Sequence, residues 1–126
     1  MTHPDPVAAI MRFQQLFDSP GYIFGQIVSP PGQWGYAAMS PDVDEFVQAL
    51  YDNGWVEPFD WPSFQDQAEK YFENPDSLAT ADLETLRKLL TLHVRKERFC
   101  DGHLLAMFDA GHIQAILRRL RAIHGS

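Results

Sequence analysis

A chain of 126 residues with 45% hydrophobic and 13% aromatic side chains has apolar surface enough for one sizeable core, which excludes global disorder. Its longest uninterrupted apolar run falls far short of the roughly 20 residues that cross a bilayer, so no membrane partner is expected. The net charge of −7 is uneven, because residues 1–80 hold twelve acidic side chains against Arg12 and Lys70 while residues 81–126 hold five against eight basic ones; an acidic body repels a phosphate backbone, and nucleic acid is disfavoured as a partner.

The opening Met1-Thr2-His3-Pro4-Asp5-Pro6 has neither a basic leader nor an apolar block behind it, and a cytoplasmic protein is expected. Residues 6–17 lack internal breakers, with Pro6 suited to a first helical turn, and Asp18-Ser19-Pro20-Gly21 ends that helix. Residues 22–39 read differently. Tyr22-Ile23-Phe24-Gly25-Gln26-Ile27-Val28 and Trp34-Gly35-Tyr36 flank the turn signal Ser29-Pro30-Pro31-Gly32-Gln33, which predicts a β-hairpin. Two strands alone are marginal in water, so the hairpin is expected to lie on helices.

Ser40-Pro41-Asp42 combines a capping hydroxyl, a first-turn proline and a first-turn carboxylate. Val43, Phe46, Val47, Leu50 and Tyr51 then keep the spacing of a helix that buries one face, and Asn53-Gly54 stops it. Asp60 can cap a helix carrying Trp61, Phe64, Ala68 and Tyr71, closed by Asn74-Pro75-Asp76. Thr80 is the expected cap of a long helix whose inward stripe is Leu83, Leu86, Leu90 and Val94. Two shorter helices follow, one after Asp101-Gly102 with Leu104, Leu105 and Phe108, and one after Gly111 with Ile113, Ile116, Leu117, Leu120 and Ile123. The fold expected is mainly α, with five to six helices and one short β-hairpin near residues 22–39, in a single domain over residues 1–126.

Candidate chemistry concentrates in Arg95-Lys96-Glu97-Arg98-Phe99-Cys100-Asp101-Gly102-His103. On a helical wheel Glu97 falls on the leucine stripe and His93 at its edge, and a carboxylate turned toward a core needs a partner. The plainer reading is an internal ion-pair network with Arg95, Arg98 or an arginine of the last helix. The sharper one is a metal or acid–base site from His93, Glu97, Asp101 and His103, with His93, Glu97 and His103 as ligands, although no HExxH-type signature is present. Cys100 is the lone cysteine, which excludes an internal disulfide and a cysteine-cluster zinc site. Arg98 and a nearby helix start would favour its thiolate, and its plainer role is a small buried apolar residue.

Ligand-binding candidates are Arg95, Arg98, Asp101 and His103, gripping a phosphate or carboxylate with the amides after Asp101-Gly102. The Asp101 carboxylate would compete for those amides. Trp61, with Phe59, Trp55 and Trp34, offers either an aromatic surface for a ligand or packing at the core and rim. Arg118, Arg119 and Arg121 share a helix face, which reads more plainly as solvated cations near a C-terminus than as a nucleic-acid contact.

The run Leu86-Arg87-Lys88-Leu89-Leu90-Thr91, then Val94-Arg95-Lys96-Glu97-Arg98-Phe99-Cys100-Asp101-Gly102-His103-Leu104, then Gly111-His112-Ile113 with Ile116-Leu117-Arg118-Arg119-Leu120, resembles a family of small bacterial proteins of unknown function. Phe46-Val47, Leu50-Tyr51, Val56 and Phe59-Asp60-Trp61 are similar to that family's other motif, so the likeness spans about residues 40–123. It implies a bacterial cytoplasmic protein and carries over no activity, cofactor or catalytic residue. The reading is a non-enzymatic module that binds a protein or small molecule without a cofactor, with a homodimer among its expected forms. The alternative is a small metal- or thiol-dependent enzyme using the cluster from His93 to His103.

Overall fold

In the computed structural model the described residues are 5–125, and the reading of residues 1–4 as lacking a basic leader lies outside them. Six α-helices and one hairpin make up the fold: α1 (Pro6–Phe17), β1 (Gly25–Val28), β2 (Tyr36–Met39), α2 (Pro41–Asp52), α3 (Trp61–Glu73), α4 (Leu83–Lys96), α5 (His103–Asp109) and α6 (His112–Gly125). The mainly helical expectation with one hairpin holds. Among the described residues no helix is long and apolar enough to cross a membrane.

Local chemistry accounts for most of the boundaries. Asp5 caps α1 by accepting from the Val7 amide at 2.9 Å, and Ser40 caps α2 by accepting from the Val43 amide at 3.3 Å, both ahead of a first-turn proline. Gly54, at φ +76°, takes the left-handed turn after Asn53 that ends α2. The cap of α4 differs from the expectation. Thr80 closes a 3-10 turn over Pro75–Thr80, and Asp82 caps α4 instead, accepting from the Thr85 amide at 2.8 Å. A carboxylate reaches that amide two residues later in the chain, so α4 starts at Leu83, and Leu83 itself faces solvent.

Helix α4 is the axis of the molecule. Leu86, Leu89, Leu90, Thr91, Leu92, His93 and Val94 are all buried, more than one stripe, because α3, α5 and α6 all pack against it. Helix α6 also packs along α1, where Arg118 pairs with Asp18 at 2.8 Å and Arg121 donates to Gln14 at 2.6 Å. Arg119 donates to the Ala81 carbonyl at 3.0 Å. The basic face of α6 therefore clamps neighbouring segments and is not simply solvated.

The rest of the core is aromatic. Phe17 lies 5.0–5.8 Å, centroid to centroid, from Phe13, Tyr22, Phe24, Phe46 and Phe108, mostly edge to face as ring quadrupoles prefer. Trp55 is buried and donates to the Pro6 carbonyl at 2.9 Å, while Thr91 donates to the Trp55 carbonyl at 2.8 Å. The hairpin pairs Gly25 with Met39 through Val28 with Tyr36, antiparallel. Ala37 and Met39 rest against the core, as does Phe24 just before β1. Its far end stands clear, with Trp34 95% and Ile27 63% exposed.

Candidate functional site

The residues proposed from sequence separate into three places. The first is the junction between α4 and α5. Glu97 follows the last turn of α4, and Gly102, at φ +90°, folds the chain back into α5. The Glu97 carboxylate then accepts from the Gly102 amide at 2.9 Å and from the Leu104 amide at 2.8 Å. This corrects the ion-pair expectation: the partners of Glu97 are backbone amides at a helix start, and neither Arg95 nor Arg98 is paired with it. The physical reason is the left-handed Gly102, which swings two amides lacking intrahelical acceptors onto a carboxylate only one turn away. Glu97→Ala should cost about 2 kcal/mol in urea unfolding, and Glu97→Gln roughly half of that, since one acceptor survives.

Asp101 is engaged elsewhere. Its carboxylate accepts from the Ala37 amide of β2 at 2.9 Å, tying the hairpin to the junction. One Asp101 carboxylate oxygen is thus engaged by β2, and the Gly102 and Leu104 amides, at the place where an anion was expected, are held by Glu97. Cys100 is exposed, contrary to a small buried role, with its amide held by the Lys96 carbonyl at 2.9 Å.

The second place is a cavity of about 220 Å³ between α3, α4 and α5, lined among others by Glu69, Phe72, His93, Lys96, His103 and Met107. His93 Nδ1 and His103 Nε2 are 3.0 Å apart, and the ring centroids are 5.2 Å apart. That separation is close to the N···N distance plus one ring radius at each end, so the rings meet nitrogen to nitrogen in a hydrogen bond. Such a pair leaves one donor and one acceptor at its outer ends. His112 lies edge-on to His93 at 5.0 Å, and the Nε2 atoms of His93 and His112 are buried without a hydrogen-bond partner.

Burial, reinforced by His112, His103 and Lys96, holds the His93 imidazole well below its ordinary range. Burial and Lys96 lower His103 to about 4, and burial and His103 lower His112 to about 4. All three are neutral near pH 7. Glu97 does not join them, and among the described residues no three His, Cys, Asp or Glu side chains are grouped to hold a metal ion. The set His93, Glu97 and His103 is thus not assembled as ligands, because the carboxylate is spent on α5. His112 entered the sequence reading only within the Gly111-His112-Ile113 motif and not as a site candidate; its position on α6 gave no local sign that it would meet His93.

The third place is an open cleft of about 280 Å³ lined by Glu57, Phe59, Trp61, Arg95, Arg98 and Phe99. Here Arg95, Arg98 and Trp61 do converge, while His103 lies in the other cavity. Trp61 and Phe99 approach to 6.0 Å between centroids, with Phe99 76% exposed. Glu57 is held by Arg87 at 3.3 Å. The guanidinium groups of Arg95 and Arg98 make no hydrogen bond or ion pair among the described residues, so their charge stays open to the cleft.

Residues 6–126 match the model of a family of unknown function, DUF6508. The chain belongs to that family. No curated protein and no solved structure matches the chain. The DUF6508 match takes in α1 and the hairpin as well as the 40–123 region that carries the motif resemblance, so all three places lie within the family unit.

Proposed function

We propose that this DUF6508 protein is a binding module whose cleft between the start of α3 and the end of α4 takes an anionic group attached to a planar or apolar body. One observation carries the reading: Arg95 and Arg98, both unpaired, line one opening beside the Trp61–Phe99 aromatic pair. Guanidinium groups grip carboxylate or phosphate oxygens in fork geometry, and aromatic faces take the flat body next to them. Binding is favoured over turnover because guanidinium groups stay protonated and do not pass protons. With Glu57 engaged by Arg87, the cleft is a cationic spot on an acidic molecule, which also draws anions in by steering. The motif resemblance supports a bacterial, cytoplasmic setting.

Phenyl phosphate is a suitable probe, since it joins one anion to one ring. In an NMR titration the Arg95 and Arg98 Nε–H signals and the Trp61 indole signal should shift together. Arg95→Ala or Arg98→Ala should weaken binding roughly tenfold or more, the size of a lost charge-assisted hydrogen bond. Signals that stay still into the millimolar range, or an affinity indifferent to both substitutions, would refute the reading. A second reading, acid–base chemistry at the His93–His103 pair, is favoured by the unpartnered His93 Nε2 in its cavity. It gains if small ligands perturb the two imidazoles and leave the arginines untouched.

A further inference from the structure

We propose that two copies of this chain join through β1, antiparallel about a twofold axis, to form one four-stranded sheet. The hydrogen-bond parity of the hairpin sets which groups are free. The Ser40 amide donates to the Phe24 carbonyl at 2.8 Å, just beyond the paired stretch of Gly25–Met39 to Val28–Tyr36. Bonded pairs alternate along an antiparallel ladder, so Gln26–Ala38 and Val28–Tyr36 are bonded like Phe24–Ser40. Gly25 and Ile27 therefore turn their amides and carbonyls away from β2.

The two edges of this hairpin are treated differently. On β2 the outward amide of Ala37 is taken by Asp101 at 2.9 Å. On β1 nothing among the described residues takes the outward amides of Gly25 and Ile27. An open strand edge is a template for another strand, and proteins usually guard such edges with lysine, proline or an inward charge. Residues 19–41 contain no Asp, Glu, Lys, Arg or His, so β1 has no such guard.

Charge points to a second copy as the occupant. Each molecule carries −7, and two copies repel over most approaches. Across the uncharged hairpin they meet without that opposition, with Ile23 75% and Ile27 63% exposed beside the edge. The strand is also complementary to itself. With the two Gln26 residues on the axis, Gly25 of each copy faces Ile27 of the other, and both outward-facing residues of each strand find amide and carbonyl partners. Gly25 has no side chain to obstruct the Ile27 it faces. The outer edges of the combined sheet would be the two β2 strands, each already closed at Ala37 by its own Asp101.

Sedimentation equilibrium over the micromolar to millimolar range, combined with amide hydrogen exchange, tests the arrangement. The expected result is a monomer–dimer equilibrium in which the Ile27 amide exchanges more slowly as concentration rises. Ile27→Lys should weaken association roughly tenfold or more, since it sets a charge on the joining edge, and should leave the melting temperature of the monomer unchanged because the side chain is exposed. Trp34→Ser, away from the edge, should leave association intact. A monomer across the whole range overturns the proposal. So does a dimer that survives Ile27→Lys, or one abolished by Trp34→Ser while Ile27 exchange stays independent of concentration.

Discussion

Lowering the pH from about 7 to about 5 should cost the folded protein on the order of 3 kcal/mol, after allowance for the solvent that reaches half-buried His103. The cause is the buried imidazole group. His103 and His112 sit near 4 in the folded chain against 6.5 when unfolded, and His93 is displaced in the same direction. Below about 6.5 the unfolded chain takes up protons that the folded chain refuses, so the unfolded state is favoured as pH falls. Stability is complete above that value and declines through the window from 6.5 to about 4, where the contributions of His103 and His112 level off as both charge in the folded state too. Glu84, whose carboxyl is lowered mainly by its hydrogen bond from Arg87, adds its loss from about 4.5 downward, as its unfolded form protonates. Urea midpoints taken at half-unit steps would trace the window. A flat profile between pH 7 and 5 would mean that water already reaches these rings. His93→Leu should shallow the slope, because the most deeply buried of the three groups is then gone.

Phe17→Ala should destabilise the protein by about 3–5 kcal/mol, the range for deleting a fully packed aromatic ring. The ring touches five others, from α1 through the segment before β1 to α2 and α5. No single neighbour can move to fill the hole without breaking its own contacts, so the cavity persists. Because Phe24 and Tyr22 lean on Phe17, the hairpin should loosen beyond the global loss, and its amides should exchange faster than those of α4. Chemical denaturation reads the first effect and residue-resolved exchange the second. A cost below about 1 kcal/mol would show that the cluster collapses onto the gap.

Much of the architecture is legible in the chain because its signals are local. Ser40-Pro41 and Asn53-Gly54 fix both ends of α2 within a few residues, and proline and glycine bracket the hairpin in the same way. The site was legible only in part. Periodicity says that Glu97 faces inward, but not that Gly102 will present two amides to it before any arginine arrives. The same limit applies to Arg95 and Arg98, whose side of α4 meets Trp61 at the start of α3, whereas His103, beyond the turn, is carried to His93 on the other flank. Tryptophan shows the gap most plainly. Trp55 is core, Trp61 lines a cleft and Trp34 stands in solvent, and nothing within a few residues of each distinguishes them. Position in space, set by helix packing far along the chain, decides.

The Glu97 carboxylate gives the start of α5 a resident counter-ion, supplied by the polypeptide itself. Sulfate or phosphate in a buffer has nothing to gain at those amides. Arg95 and Arg98 have no such internal substitute, so following the Trp61 indole signal as the buffer anion is changed becomes a local probe of that opening.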